Sequence, residues 1–394
     1  MKIWFDTGVW MNQGVNIYVP NDHLGYPPLW AFWCLVAYRF YAFFGNNLEI
    51  WRFILKLPLI LAHIALAFVI GAFVEKRYGL KTARKIFFFV LTWSFFIYIG
   101  ALWGQINMLS ALLTFLAFYA VINGRTGMSA LFLGVAVTLK IYPLITLPAF
   151  FAYVLKNRDR KEAWKFLLYT CSVPILFTLF VFAIFRWDIS AFLRTIFYWT
   201  PVFESNPVQI QGGAMNIWSF ISLFNIDIAQ FWILRLVWIP ILGAGAFYLL
   251  RKTKLDEAGL NFSLIVLYFI FMLTYAWVPE QSFLDPLPFI LLQILVYRPK
   301  LAHLYWLLVI QGLVYAFSVF DWGFFAFYPL VEKFSPSLLR SIVFLNPADN
   351  PLAWAIRGVL GLIVSLSLIG FLIILRRNSI REQQVSAKVV DSTT

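Results

Sequence analysis

The chain has 394 residues, 62% of them hydrophobic and 12% charged, with a formal net charge of +13 and a mean hydropathy of +0.81. A soluble domain carries about twice that charged fraction, so the composition excludes a water-soluble globular enzyme and points to a polytopic membrane protein. The apolar runs are continuous rather than alternating, which argues against a β-barrel and for an all-α architecture of spanning helices.

Residues 1–52 come first, as a polar, turn-rich segment expected to be an extracytoplasmic first loop with juxtamembrane helices. Its core is FDTGVWMNQGVNIYVPNDHLGYPPLW, Phe5–Trp30. Asp6 has two readings. It can be a carboxylate base in a wet cleft, or the N-cap of a short helix over 7–13, since Asp is a preferred cap. Asp22 stands in a turn-rich context and reads as a loop residue closing a turn. No apolar run lies early enough to be a cleavable signal, so either the chain inserts with its start outside or a first span is encoded upstream of Met1, the second being expected.

Residues 53–378 form the transmembrane body. Eleven spans are predicted, at about 53–73, 86–102, 106–122, 128–140, 141–155, 166–184, 230–249, 261–278, 284–297, 302–320 and 354–375. The connections EKRYGLKTARK and KNRDRKEAWK hold five basic residues each, RKTK three and YRPK two. Alternating sides puts these, Arg125 and the basic residues after the last span on one face. The positive-inside rule makes that face cytoplasmic. The opposite face receives 1–52 and the outer loops 185–229 and 321–353. The sequence LKIYP is expected to break one hairpin into two short arms, because Pro143 lacks an amide and disfavours helical geometry at Tyr142. Lys140 then lies at the tip of a broken helix, below the outer surface. A polar tail, 379–394, is expected to be cytoplasmic and disordered past Glu382.

Several polar residues fall on the outer side of this arrangement. A lysine deep in a span is a functional candidate by default, and a compact ammonium suits a phosphate; snorkelling to the headgroups is the alternative for Lys140. Arg39 and Arg52 flank an apolar helix and suit phosphate or snorkelling equally. The amides of Gln105 and Asn107, at a hairpin turn, can bind sugar hydroxyls or simply serve the turn. Glu280, Gln281 and Asp285 cluster beside three prolines at a span entrance, where sugar or acceptor binding is the better reading. Asn216 and Trp218 can hydrogen-bond and stack on a sugar, or belong to the interfacial aromatic belt. His63 reads as a satisfied core histidine. With His23 and His303 it makes no metal site, and no metal or cofactor is expected. No Walker loop or GxGxxG after a strand is present, which argues against a soluble nucleotide-sugar fold.

The order of these elements resembles the C-type glycosyltransferases, in their mannosyltransferase branch, which take a sugar from a polyprenyl-phosphate carrier. The resemblance rests on FDTGVWMNQGVNIYV with Asp6, Gly14, Asn16 and Tyr18. It continues through YPPLW from Tyr26, WGQINML at Trp103–Leu109, SALFLGVAVTLKIYP, GGAMNIWSF and WVPEQSFLDPLPFILL. It covers most of residues 1–300. Glu280-Gln281 departs from the family's His-Glu-Arg/Lys pattern. The resemblance implies transfer of a hexose, mannose first, from a polyprenyl- or dolichyl-phosphate donor. The acceptor would be a lipid-linked glycan, glycolipid or protein on the extracytoplasmic face of a prokaryotic plasma membrane or the endoplasmic reticulum, and the transfer would be inverting. It implies Asp6 as base, Lys140 with Arg39 and Arg52 at the donor phosphate, and Tyr26, Gln105, Asn107, Asn216, Trp218, Glu280 and Gln281 around sugar or acceptor. A secondary transporter or lipid-carrier flippase, and a non-catalytic subunit of the same fold, are the rival readings.

Overall fold

The computed structural model describes residues 2–20, 25–195, 216–224, 237–252, 255–275, 278, 280–304, 306–308, 310 and 351–391, and no strand occurs among the described residues. In chain order the helices are α1 Lys2–Asn12, α2 Leu29–Phe43, α3 Leu48–Tyr78, α4 Leu80–Thr92, α5 Ser94–Trp103, α6 Asn107–Ile122, α7 Thr126–Leu139, α8 Leu147–Asn157, α9 Arg160–Phe185, α10 Ile189–Leu193, α11 Ile217–Ile221, α12 Trp238–Lys252, α13 Glu257–Thr274, α14 Leu287–Tyr297 and α15 Pro351–Asp391.

Short polar side chains start the long helices by accepting from amides that have no helical partner. Asn47 accepts from Glu49 and Ile50 at α3, Asp159 from Glu162 at α9, and Asp256 from Gly259 at α13. Gly79, at φ 81°, ends α3 and lets α4 fold back along it. Four helices are long and apolar enough to cross a bilayer: α3, α9, α13 and Trp354–Arg377 of α15. A fifth span results if α4 and α5, bent by 41° at Trp93, act together. Helices α2, α6, α7, α12 and α14 are apolar but shorter. The chain is therefore an all-helical membrane protein, whereas eleven crossings are not established. Residues 311–320 of the expected tenth span, residues 196–215 and 225–229 of one outer loop and most of 321–353 lie outside the described residues, as does Asp22.

Two expectations change. Asp6 does not cap a helix over 7–13, because α1 begins at Lys2 and Asp6 is one of its interior residues. The upstream residues carry no Gly or Pro to stop the helix. Trp4, Thr7, Gly8 and Met11 supply a buried stripe at the helical spacing. The polar end of the chain is also helical, since α15 runs on to Asp391; residues 378–391 hold Arg, Glu, Gln, Ala and Lys with no Gly or Pro.

Packing divides into two apolar clusters. The larger joins α3 to α9 with α13, α14 and α15. The smaller joins α1, α2, the start of α3, the end of α9 and α10. The first loop is fastened into this second cluster. Trp187 Nε1 donates to the Gly14 carbonyl at 2.9 Å, Asn16 Nδ2 to the Asp188 carbonyl at 3.0 Å, and Tyr18 stacks on Phe182. His63 is buried, 2.8 Å from the Val90 carbonyl and stacked on Phe96, as a core histidine should be. Ile106 and Leu139 belong to the smaller cluster, while Phe283 and Leu284 belong to the larger. The seam between the clusters therefore runs past residues 105–107, 139–142 and 280–285.

Candidate active site

Three chain breaks meet at that seam. In the first, α5 ends in a π-helical stretch, Ile97–Trp103, closed by Gly104 in the left-handed region at φ 78°. The Gln105 amide donates back to Ile99, and Asn107 then opens α6. In the second, α7 stops at Leu139, Lys140 is extended at φ −155° and ψ 137°, and a 3₁₀ turn, Tyr142–Thr146, leads into α8. Pro143 in that turn is the reason no single helix runs through. In the third, a 3₁₀ turn at Glu280–Leu284 delivers Asp285 just before Pro286 and α14.

Lys140 and Asp285 are 3% and 0% exposed, the two buried Lys, Arg, Asp or Glu side chains among the described residues. Lys140 Nζ lies 3.9 Å from Asp285 Oδ2 and 4.1 Å from the centre of the Tyr142 ring. Asp285 Oδ2 accepts from Asn107 Nδ2 at 2.7 Å. Burial of two charges is tolerable only when each is compensated. Here a carboxylate, an amide donor and an aromatic face provide the compensation. It is incomplete, because Lys140 Nζ, Asp285 Oδ1, Asn107 Oδ1, Gln281 Oε1, Ser282 Oγ and Ser110 Oγ make no hydrogen bond of good geometry. Ser110 stands beside Asp285 and Ser282 beside Tyr142. Unsatisfied buried donors and acceptors are costly, and a set of such groups at one seam is a lining that a polar ligand would complete.

The first loop reaches the same place. Tyr26 meets the Gln281 side chain, and Trp4 of α1 packs on Tyr26 at 5.3 Å. Burial pushes the Tyr26 hydroxyl up to about 12; Gln281 acts against this shift, and Asp285 adds to it. Tyr18 donates from its hydroxyl to the Tyr26 carbonyl at 2.9 Å, which fixes the loop.

A family model described as glycosyltransferase family 87 matches residues 25–275. The chain belongs to glycosyltransferase family 87. No curated protein matches it. This family 87 member is thus a membrane glycosyltransferase, with a sugar donor and an acceptor. The matched region contains Tyr26, Asn107 and Lys140, with Asp6 before it and Asp285 after it.

The expected site residues divide accordingly. Lys140, Asn107, Gln281 and Tyr26 converge, and Gln105 is buried at the turn before Asn107. The side chain of Glu280 lies outside the described part of the molecule. Asp6 is half-buried, two residues from both Trp4 and Gly8 and so on the opposite face of α1. It has no hydrogen bond or ion pair among the described residues. Arg39 is exposed on α2, and Arg52 is paired with Glu49 at the surface. Asn216 is fully committed: it caps α11 and donates to the Met272 and Tyr275 carbonyls, both at 2.7 Å. Trp218 Nε1 donates to Thr274 at 3.1 Å, leaving only its ring for a ligand. Sequence reasoning read Asp285 only as one of a sugar- or acceptor-binding cluster and did not pair it with Lys140. Its signal was a carboxylate inside an apolar run, between Leu284 and Pro286.

Proposed function

We propose that this glycosyltransferase moves one hexose, mannose first, from polyprenyl or dolichyl phosphate to a lipid-linked glycan or other acceptor on the extracytoplasmic face, with inversion. The observation that carries this reading is Lys140. A buried ammonium at a helix break, with its donors unspent, fits the phosphodiester of a lipid-borne sugar, and apolar helices on both sides suit an isoprenoid tail. Gln281, Tyr26 and Gln105 supply amide and hydroxyl groups for the sugar. Asp6, a half-buried carboxylate with no partner in the described structure, is the proposed base for the acceptor hydroxyl. Arg39 and Arg52, on the outer side, would meet the carrier as it enters from the leaflet.

Membranes incubated with labelled polyprenyl-phosphate mannose and a lipid extract test the reading. Lys140→Ala should raise the donor KM. Asp6→Asn, which removes the base but little of the shape, should lower transfer by about 10²–10⁴ with insertion intact. Full transfer by the Asp6 variant would remove its role, and an unchanged donor KM in the Lys140 variant would remove the donor-site assignment. Sidedness follows from the basic loops, so a cysteine label at residue 22 should react from outside and one at residue 159 only after permeabilisation.

A further inference from the structure

Asp285 is a puzzle for a donor-phosphate site. A carboxylate 3.9 Å from the ammonium that is to hold a phosphate weakens that hold, and an apolar residue would pack there without charge. Asp285 is nevertheless fully buried, held at Oδ2 by Asn107 and flanked by Ser110. The Nδ2 of Asn107 is therefore spent on orienting the carboxylate, leaving only Oδ1 open, and the carboxylate is aimed at Lys140 by an amide on a different helix.

The chemistry of the proposed reaction gives this arrangement a use. The donor is a phosphodiester with one negative charge. As the acceptor oxygen bonds to the anomeric carbon, the bond from that carbon to the phosphate oxygen breaks and the electron pair leaves with the phosphate. The acceptor proton goes to the base. The carrier is now a phosphomonoester, with a charge of about −1.5 to −2 near neutral pH. A lone buried lysine would hold this product more tightly than the substrate, and the enzyme would stall on its own leaving group. A fixed negative charge beside the lysine weakens that preference, because its repulsion grows with the charge on the phosphate.

Resting on the donor-site reading of Lys140, we propose that Asp285, oriented by Asn107, is a positioning residue that sets the discrimination between donor phosphodiester and product phosphomonoester at Lys140, and so drives release of the spent carrier. Asp285 touches no reacting atom. It acts through Lys140, both by holding the ammonium in place and by competing with the phosphate for it. On this view the carrier phosphate completes the unspent valences of Lys140 but does not displace Asp285.

The test uses the full-length protein in detergent or lipid nanodiscs, and its binding measurements need no acceptor. Three probes are compared for binding: polyprenyl-phosphate mannose, polyprenyl phosphate, and its methyl phosphodiester. In the unaltered protein the monoester should bind less than about tenfold more tightly than the methyl diester, despite its larger charge. Tighter monoester binding by tenfold or more would overturn the proposal without any variant being made. Asp285→Asn keeps the size and the neighbour but removes the charge. It should tighten polyprenyl phosphate by roughly ten- to a hundredfold and the donor by much less, and in turnover it should lower kcat with sharper product inhibition. A purely structural role would weaken all three probes together, and that result also overturns the proposal. Lys140→Gln separates the two readings. If it leaves all three affinities unchanged, the donor-site assignment fails. If it weakens them while Asp285→Asn leaves their ratio unaltered, only the discrimination by Asp285 fails.

Discussion

The pairing of Lys140 with Asp285 makes a quantitative prediction for stability. At 3.9 Å the two charges attract by about 4 kcal/mol at the effective dielectric of 20 that suits most protein sites. Lys140→Met removes that attraction and leaves a buried carboxylate with only the neutral donors Asn107 and Ser110 beside it. Breaking a buried pair from one side costs about 3–5 kcal/mol in soluble proteins. The double variant Lys140→Met with Asp285→Leu removes both charges and leaves only the Asn107 amide unpaired, which costs about 1–3 kcal/mol. The double variant should therefore be more stable than the single, with a coupling of at least about 1–2 kcal/mol. Unfolding of each protein in the same detergent, followed by tryptophan fluorescence against SDS, measures all corners of the cycle. The double variant should still lack donor binding, which separates folding from function. Strictly additive losses, or a Lys140→Met variant as stable as the parent, would refute the claim that the two charges compensate each other.

Two further outcomes follow from the hydrogen bonds. Asn216→Ala removes two donors to the end of α13 and the cap of α11, so it should lower the unfolding midpoint by the equivalent of about 1–3 kcal/mol. The donor KM of the folded fraction should not change, and a raised KM at unaltered stability would return Asn216 to the sugar site. Arg77 donates from Nε and Nη2 to Glu257, which also accepts from the Tyr297 hydroxyl. Arg77→Met and Tyr297→Phe should therefore show non-additive losses of stability in a double-mutant cycle, and additive ones would mean that the cluster does not act as a unit.

Local features of the site were readable before the structure, and its long-range pairing was not. The break at Lys140 follows from Pro143, whose effect reaches only a few residues, and a periodic pattern that stops at a proline is visible in one sequence. The buried His63 was readable for the same kind of reason, as a polar group in an otherwise apolar span. The cap reading of Asp6 failed because a cap and an interior aspartate differ only in whether residues before it are helical, and Lys2–Phe5 are compatible with either. The partner of Lys140 lay 145 positions away, and that of Asn107 178 positions away. Neither spacing has a periodicity to betray it. Asn216 was assigned to sugar because an Asn near a Trp suits both sugar binding and helix capping, and the Met272 and Tyr275 carbonyls that it meets lie 56 and 59 positions away.

The same contacts define how Asp6 can serve a site built around Lys140. Helix α1 lies tight on α2, where a Cβ on Gly8 would come within 2.5 Å of the Cys34 carbonyl. The loop after α1 is pinned to the turn between α9 and α10 through Gly14, Asn16 and Tyr18. Helix α9 in turn packs on α7 across Gly134, where an added Cβ would lie 2.8 Å from Val173 Cβ and 3.0 Å from the Thr170 carbonyl. Close approach of helices over small residues is the usual membrane interface, and α7 ends at Lys140. The first loop and the lysine are thus related through one chain of contacts, with Gly134 as its link at α7. Gly134→Ala must move α9 away from α7, since a backbone carbonyl cannot yield as a side-chain end can. The cost should be about 1–3 kcal/mol. If Asp6 and Lys140 work on one substrate, the displacement should also lower kcat of the folded enzyme, because reacting groups tolerate little misplacement. Donor affinity, set by Lys140 and its own neighbours, should change less. A Gly134→Ala enzyme with normal kcat at reduced stability would show that the position of the first loop does not govern transfer, and the base would then have to be sought outside α1.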